Sequence, residues 1–436
     1  MSLSLSVKVT LWSLLLLALA AYSSSSFSLP LGDYFAAALD YDQEFRRVKE
    51  EKAIDIYTED TGYLEYLPEA DLSYDYSYTE ANDSGEVSAY SSQGDYKRRS
   101  LSGRVVQPIY DKSKIEIISA QKSKQSLYGA EIESAKTHLL DRVFSAYQQH
   151  YLASISLRNS EEILGLERAR LARIEDGASL GVSNDLEYIE AEIQFSQAVA
   201  DVERYASELQ EAESLLEMYT GYTRLTAGVE CEGAPSFLAP VELNDMLLMV
   251  DQYPSIELLQ RELEVLDSEA ARAKSRFFPT VYLSYERSRS ETINGSFDGS
   301  ISNTSVAQLG VDIPLFASYS SYRQVSSYSR RSALYSQLLR QTRLNSIKTI
   351  RSLYSRYKRM EASFDATNEA YVRSSDLLTI RQQEYELGQI STAELDNYIQ
   401  QNLQVARKRG EVCMALLGIR VDISIETGNF SYLLME

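Results

Sequence analysis

The chain has 436 residues and a formal net charge of −20, from 43 basic and 63 acidic side chains. Phosphate binding needs clustered Lys and Arg, so this balance argues against a nucleic-acid partner. Two histidines and two cysteines leave few candidates for imidazole or thiolate chemistry, whereas 32 tyrosines stand against 12 phenylalanines and one tryptophan.

The N-terminus reads as an export signal over residues 1–20. Lys8 precedes the apolar run "LWSLLLLALAA", which has the length of a signal-peptide core and is short for a membrane span. Ala18 and Ala20 supply the small residues of a cleavage site, and the cut is expected after Ala20. No cysteine follows the run, so no lipoprotein anchor is expected; an uncleaved anchor is the competing reading. No later segment has a charge-free apolar run near 20 residues.

The eight prolines lie at 30, 68, 108, 235, 240, 254, 279 and 314. Helix interiors reject proline, so long helices are expected between Pro108 and Pro235 and after Pro314. Leu140, Phe144, Tyr147, Tyr151 and Ile155 form one apolar stripe. Leu353, Tyr357, Met360, Phe364, Tyr371 and Leu378 form another on a seven-residue repeat, as coiled-coil seams do. The spacing predicts long helices from Lys112 to Leu180 and from about Ser318 to Leu387, each on the order of 100 Å at 1.5 Å per residue. Shorter helices are expected near Asp33–Gly62, Asp185–Tyr219, Asn244–Arg276 and Thr392–Leu417.

Strand signals separate the helices. "ADLSYDYSYTE" alternates Leu72, Tyr74, Tyr76 and Tyr78 against Ser73, Asp75 and Ser77. "VAQLGVDIPLF" alternates Leu309, Val311, Ile313 and Leu315 against Gln308, Gly310 and Asp312. "PTVYLSYERS" sets Val281, Leu283 and Tyr285 on one side, and "LSGRVVQPIY" is the weakest of the four. Period-two patterning in segments of about ten residues fits transmembrane β-strands; a soluble hairpin with one buried face would also show it.

These elements occur twice. "LGVSNDLEYIEAEIQ" and "LGQISTAELDNYIQQ" place Gly181 and Gly388 about 207 residues apart. Each glycine suits the left-handed position that ends a helix. Asn184 with Glu187, and Ser391 with Glu394, have the capping-box spacing. Pro68 corresponds to Pro279 and Pro108 to Pro314, and these four mark the expected strand boundaries. Each half reads helix, strand pair, long helix, Gly turn, helix, with the first repeat over 21–225, a connector over 226–240 and the second repeat over 241–436. Four strands cannot close a membrane barrel, so the chain must associate, and three copies would supply twelve strands.

The ordered segments "FFPTVYLSYERS", "VAQLGVDIPLFASYSSYRQV" and "YELGQISTAELDNYIQ", with weaker partners in the first half, resemble the TolC-like outer membrane factors. The resemblance runs from about Leu29 to Leu417. It implies a mixed, mainly α fold, in which four strands per chain join a shared twelve-stranded trimeric β-barrel and helical hairpins build a periplasmic α-barrel. It implies a homotrimer in outer membrane lipid that spans into the periplasm of a Gram-negative bacterium. Such a channel serves as the passive exit duct of a tripartite efflux pump or type I secretion system. Its partners are a periplasmic membrane-fusion adaptor and an inner-membrane transporter of RND, MFS or ABC type, and it needs no cofactor, metal or catalysis.

By the same resemblance the helix starts form the periplasmic tip. Glu187 and Glu190, and Glu394 with Asp396, are candidates for a cation-selective ring, and Tyr385 for a tip bond with Glu187. Residues three apart share a helix face and residues two apart do not, so at most one of Glu394 and Asp396, most readily Glu394, faces the lumen. Some family members carry a basic residue just after the second Gly turn, where this chain has Ile390. The competing role for Glu187 and Glu394 is capping alone. A coiled-coil structural protein of the periplasm, without a pore, is the alternative function, and it should lack strands. His138 and His150 fall in a coiled coil and are expected to be surface or seam residues. Cys231 and Cys413 each lie near the end of a short helix, one in each half, and a bridge between them stays open on sequence alone.

Overall fold

The proline-free stretches fold as helices of matched length. The computed structural model describes residues 30–59, 62–80, 96–179, 185–223, 231, 242–294, 297–315 and 319–430. The first half holds α1 (Leu31–Tyr41), α2 (Gln43–Glu59), β1 (Glu69–Thr79), β2 (Tyr96–Asp111), α3 (Lys112–Ser179) and α4 (Asp185–Thr220). The second holds α5 (Leu243–Leu248), α6 (Pro254–Ser275), β3 (Thr280–Asn294), β4 (Phe297–Asp312), α7 (Tyr319–Glu386) and α8 (Thr392–Thr427). The two long helices have 68 residues each and the two that follow them 36 each. The expected signal segment and the Gly181 turn lie outside the described residues, and no described helix is long and apolar enough to cross a membrane.

Three helical boundaries differ from the sequence expectation, each for a local reason. The helix expected over Asp33–Gly62 is two helices, because Asp42 leaves the helical region (ψ 121°) and its Oδ1 caps α2 by accepting from the Phe45 N–H at 2.7 Å. The helix expected over Asn244–Arg276 ends at Leu248, passes through a 3-10 turn over Val250–Gln252, and restarts only after Tyr253, which is extended (ψ 140°) before Pro254. Pro254 then opens α6 at a position where its missing N–H costs nothing. At the C-terminal end, α8 continues to Thr427 and stops only at Gly428, whose φ of +69° is left-handed. The β-branched stretch "RVDISI" has modest helix propensity, but Val421, Ile423 and Ser424 are buried, and burial decides.

The four strands form one antiparallel sheet in the order β1-β2-β3-β4. β2, β3 and β4 run further toward the β1–β2 and β3–β4 connections than the apolar alternation indicates, through Ser, Thr and Arg residues that pair across the sheet. The least patterned of the four, β2, is one of the two longest at 16 residues. It sits between β1 and β3, where two ladders hold its backbone. Pro108 lies inside β2, and the pairing with β3 shifts between Pro108 and Tyr110. A bulge accommodates the missing N–H.

The chain divides into two compact units, each drawing on both halves of the sequence. One comprises 51–131 and 257–341 and contains the sheet. The other comprises 1–50, 132–256 and 342–436 and has an apolar core including Leu139, Leu140, Tyr147, Leu216, Ile350, Tyr357 and Leu416. Within it the two predicted stripes are largely buried, from Leu140 through Ile155 and at Leu353, Tyr357 and Phe364. His150 is a buried seam residue, and burial holds its pKa below the usual histidine value, in its neutral form. His138 is exposed.

The question left open for the cysteines is answered in this second unit. Cys231 and Cys413 form a disulfide with Cα atoms 5.9 Å apart and 182 residues between them in sequence. The bridge ties Cys231, which lies between the two halves, to α8. A long closed loop gains most from a cross-link in the chain-entropy account. Cys413→Ser should therefore lower the stability of this unit by about 2–5 kcal/mol, read as a lower thermal midpoint in detergent. An unchanged midpoint would mean that the cross-link adds no stability to this unit.

Candidate functional site

Residues opposite one another in an antiparallel pair project from the same face of the sheet. Tracing the register across all four strands therefore sorts the sheet into two faces. One carries Leu72, Tyr74, Tyr76 and Tyr78 of β1, Leu101 and Val105 of β2, Val281, Leu283 and Tyr285 of β3, and Ala307, Leu309 and Val311 of β4. The other carries Ser73, Asp75 and Ser77, then Ser102, then Ser284 and Ser288, then Thr304 and Gln308. On this polar face Arg104 lies opposite both Asp71 and Glu286, so its charge is matched across three strands. Tyr282 lies across Gly310 there, where any Cβ would come within 2.3 Å of the ring, so position 310 must be glycine for the ring to pack.

The apolar face is uncovered within one chain. Leu72 is 78% exposed and Leu309 68% exposed, and every residue of β1 is exposed. A soluble hairpin buries its apolar face; this sheet leaves that face exposed, and it is the side that needs a cover. Among the described residues no further strand pairs with the outer edges of β1 and β4. Pro68 and Pro279 immediately precede β1 and β3, and Pro314 follows the end of β4 by two residues.

A second constellation surrounds the turn between α7 and α8. Gly388 has φ +72°. The Gln389 N–H donates to the Glu384 carbonyl at 2.8 Å and the Gly388 N–H to the Tyr385 carbonyl at 2.9 Å, the paired bonds of a Schellman stop. Ser391 then caps α8. Its hydroxyl accepts from the Glu394 N–H at 3.3 Å, and its own N–H donates to Glu394 Oε2 at 2.8 Å. The bonds from the Ser391 backbone and hydroxyl, together with nearby Arg381, hold the Glu394 carboxyl below its usual pKa. Glu394 is thus an ionised capping residue, and Tyr385 contributes its carbonyl to the stop while its ring is exposed.

The remaining acids at this end differ. Asp396 Oδ2 accepts from Arg173 Nη2 of α3 at 3.1 Å. Glu187 and Glu190 lie one turn apart on α4, both exposed. Gly181 and Asn184 lie outside the described residues. Sequence reasoning sought a basic partner just after the Gly turn and met Ile390. The cations stand elsewhere: Arg173 comes from the other half of the chain, and Arg381 sits one turn before the helix stop, paired with Glu384 and 4.8 Å from the Tyr398 ring centroid. Arg381 was findable as a basic residue on the preceding turn; Arg173 lies 223 residues from Asp396, and no local pattern marks it.

The connector supplies a third fixed point. Arg409 of α8 donates through Nη1 to the Cys231 carbonyl at 2.8 Å and through Nε to Asn368 Oδ1 at 2.7 Å. Its guanidinium lies 5.3 Å from the Tyr371 ring centroid. Among the described residues no group of His, Cys, Asp and Glu is arranged to hold a metal ion.

Residues 250–410 match the Outer membrane efflux protein family. The match covers most of the second repeat and less than half of the chain. The fold extends the likeness over nearly all of it. The structure of CusC, described in a study of folding and transmembrane channel formation, has a TM-score of 0.72 at 15% identity and covers 91% of this chain and 92% of that one. The Campylobacter jejuni CmeC outer membrane channel has a TM-score of 0.73 at 13% identity, covering 91% and 85%. The open state of the Neisseria gonorrhoeae MtrE outer membrane channel has 0.70 at 13%, covering 92% and 89%. No curated protein matches the sequence. At these identities what is shared is the fold: long helical hairpins with four strands per chain, as the sequence resemblance implies. A strandless rod is not favoured.

Proposed function

We propose that this efflux-type chain is the trimeric outer-membrane exit duct of a tripartite pump or type I secretion system. The observation that carries the reading is the two-faced sheet with two open edges. An apolar face suits lipid, a Ser-, Thr- and Asp-rich face suits a water-filled lumen, and open edges are forbidden in hydrocarbon. Three copies joining β1 to β4 of a neighbour give a closed barrel of twelve strands. The family match over 250–410 and the fold of the compared channels support the same reading.

The chain conducts and does no chemistry of its own in this account. Energy comes from an inner-membrane transporter, of RND, MFS or ABC type, coupled by a periplasmic membrane-fusion adaptor. The Gly388 turn lies at the periplasmic tip in this scheme, with Glu187, Glu190 and Glu394 as candidate rings of three. An acidic ring in a constriction favours cations. Asp396 is committed to Arg173 within the chain, which makes that pair a candidate latch between the hairpins of the tip.

Two measurements test this. The mass of the detergent-solubilised protein should be that of three chains, and a stable folded monomer would overturn the reading. Glu394→Gln should keep most of the cap, since Gln also serves there, while removing the charge. Single-channel recording in planar bilayers should then show reduced cation selectivity, and unchanged selectivity would leave Glu394 a capping residue only.

A further inference from the structure

The apolar face of the sheet is not apolar throughout. Toward the β1–β2 and β3–β4 connections the same register brings four cations onto it: Lys97 and Arg99 of β2, and Arg287 and Arg289 of β3. Arg99 lies opposite Glu291, so Arg289 is its diagonal neighbour, within reach of a long side chain. Gly103, opposite Arg287, brings no side chain of its own to that position. Tyr76 pairs with Arg99 and its ring centroid lies 5.9 Å from the guanidinium. Asn303, opposite Arg289, adds an amide on β4.

The two faces treat charge differently at this height. On the polar face two cations, Arg98 and Arg104, stand against the acids Asp71, Asp75 and Glu286. On the apolar face four cations share one acid, Glu291, in a chain whose net charge is −20. Cations on a lipid-facing surface are costly at the bilayer midplane and nearly free at the interface, where long side chains reach the headgroups. Guanidinium groups match phosphate oxygens in geometry as well as charge. Tyrosines beside them are the residues of an interfacial girdle.

We infer that Lys97, Arg99, Arg287 and Arg289 form a binding site for the phosphate of a lipid headgroup in the leaflet next to the strand connections. The inference rests on the proposed membrane placement of the sheet. Three such sites in a trimer would anchor the rim of the barrel to its surrounding lipid.

The test is native mass spectrometry of the full-length trimer in detergent, titrated with dioleoylphosphatidic acid or dioleoylphosphatidylcholine. The phosphomonoester lipid should be retained in preference, and R287Q/R289Q should reduce its retention by about tenfold, the loss of roughly one charge-assisted bond. R98Q/R104Q, on the polar face, should leave retention unchanged. Migration of the unheated trimer on a gel shows which variants fold, and K97Q/R99Q carries the test if the first pair does not. Equal retention in the apolar-face variants, equal loss in the polar-face variant, or capture of inorganic phosphate with no lipid preference would each overturn the site. A protein that leaves membranes without detergent would instead fail the proposed function. A detergent-requiring trimer without lipid preference fails this inference alone.

Discussion

Backbone hydrogen bonding in a medium without water is the constraint on which this architecture depends. Each N–H and C=O in hydrocarbon must be bonded within the protein, so a sheet there must close. Among the described residues four strands satisfy their inner ladders and leave the outer edges of β1 and β4 open. The chain cannot complete its own structure in lipid. Assembly follows from that deficit rather than from any single attractive patch. The sequence duplication is the economical consequence: each half supplies one strand pair and one pair of helices of 68 and 36 residues.

Period-two alternation was readable in β1, β3 and β4 because one face is apolar and the other is polar. It was weak in β2, where Gln107, Gly103, Arg99 and Lys97 occupy the apolar-face positions. Pairing on both sides makes that strand, and no local pattern reports it. The long helices were legible to within a residue or two because proline is absent and glycine marks their ends. Asp42 and Tyr253 were harder. Asp42 interrupts a helix through one extended residue, whereas before Pro254 the helix has already ended at Leu248 and tightened into a 3-10 turn, and only the neighbouring cap or proline gives either break away. The continuation of α8 past Leu417 was illegible for the opposite reason, since its β-branched residues form helix only because they are buried.

The tip shows the same division between local and distant information. The capping box of Ser391 and Glu394 was written in four consecutive residues and is present in full. The Arg173–Asp396 pair joins residues 223 apart in sequence and could not be read from either segment. The absence of a basic residue at position 390 therefore does not leave the acids of this end without cations. Arg381 and Arg173 stand near Glu394 and Asp396 respectively. The disulfide between Cys231 and Cys413 belongs to this class too, since two cysteines 182 residues apart are compatible with both bridged and free states until the fold sets them 5.9 Å apart.

The central claim is that the two faces of the sheet meet different solvents. Adjacent positions on β4 test it directly, because Leu309 lies on the apolar face and Gln308 on the polar one. With the one native tryptophan, Trp12, replaced or removed, a single tryptophan is placed at either position in the trimer reconstituted into vesicles containing brominated lipid. Fluorescence from position 309 should be strongly quenched by the lipid and that from position 308 should not, while aqueous acrylamide should show the reverse order. Equal quenching at the two positions by either agent would contradict the account.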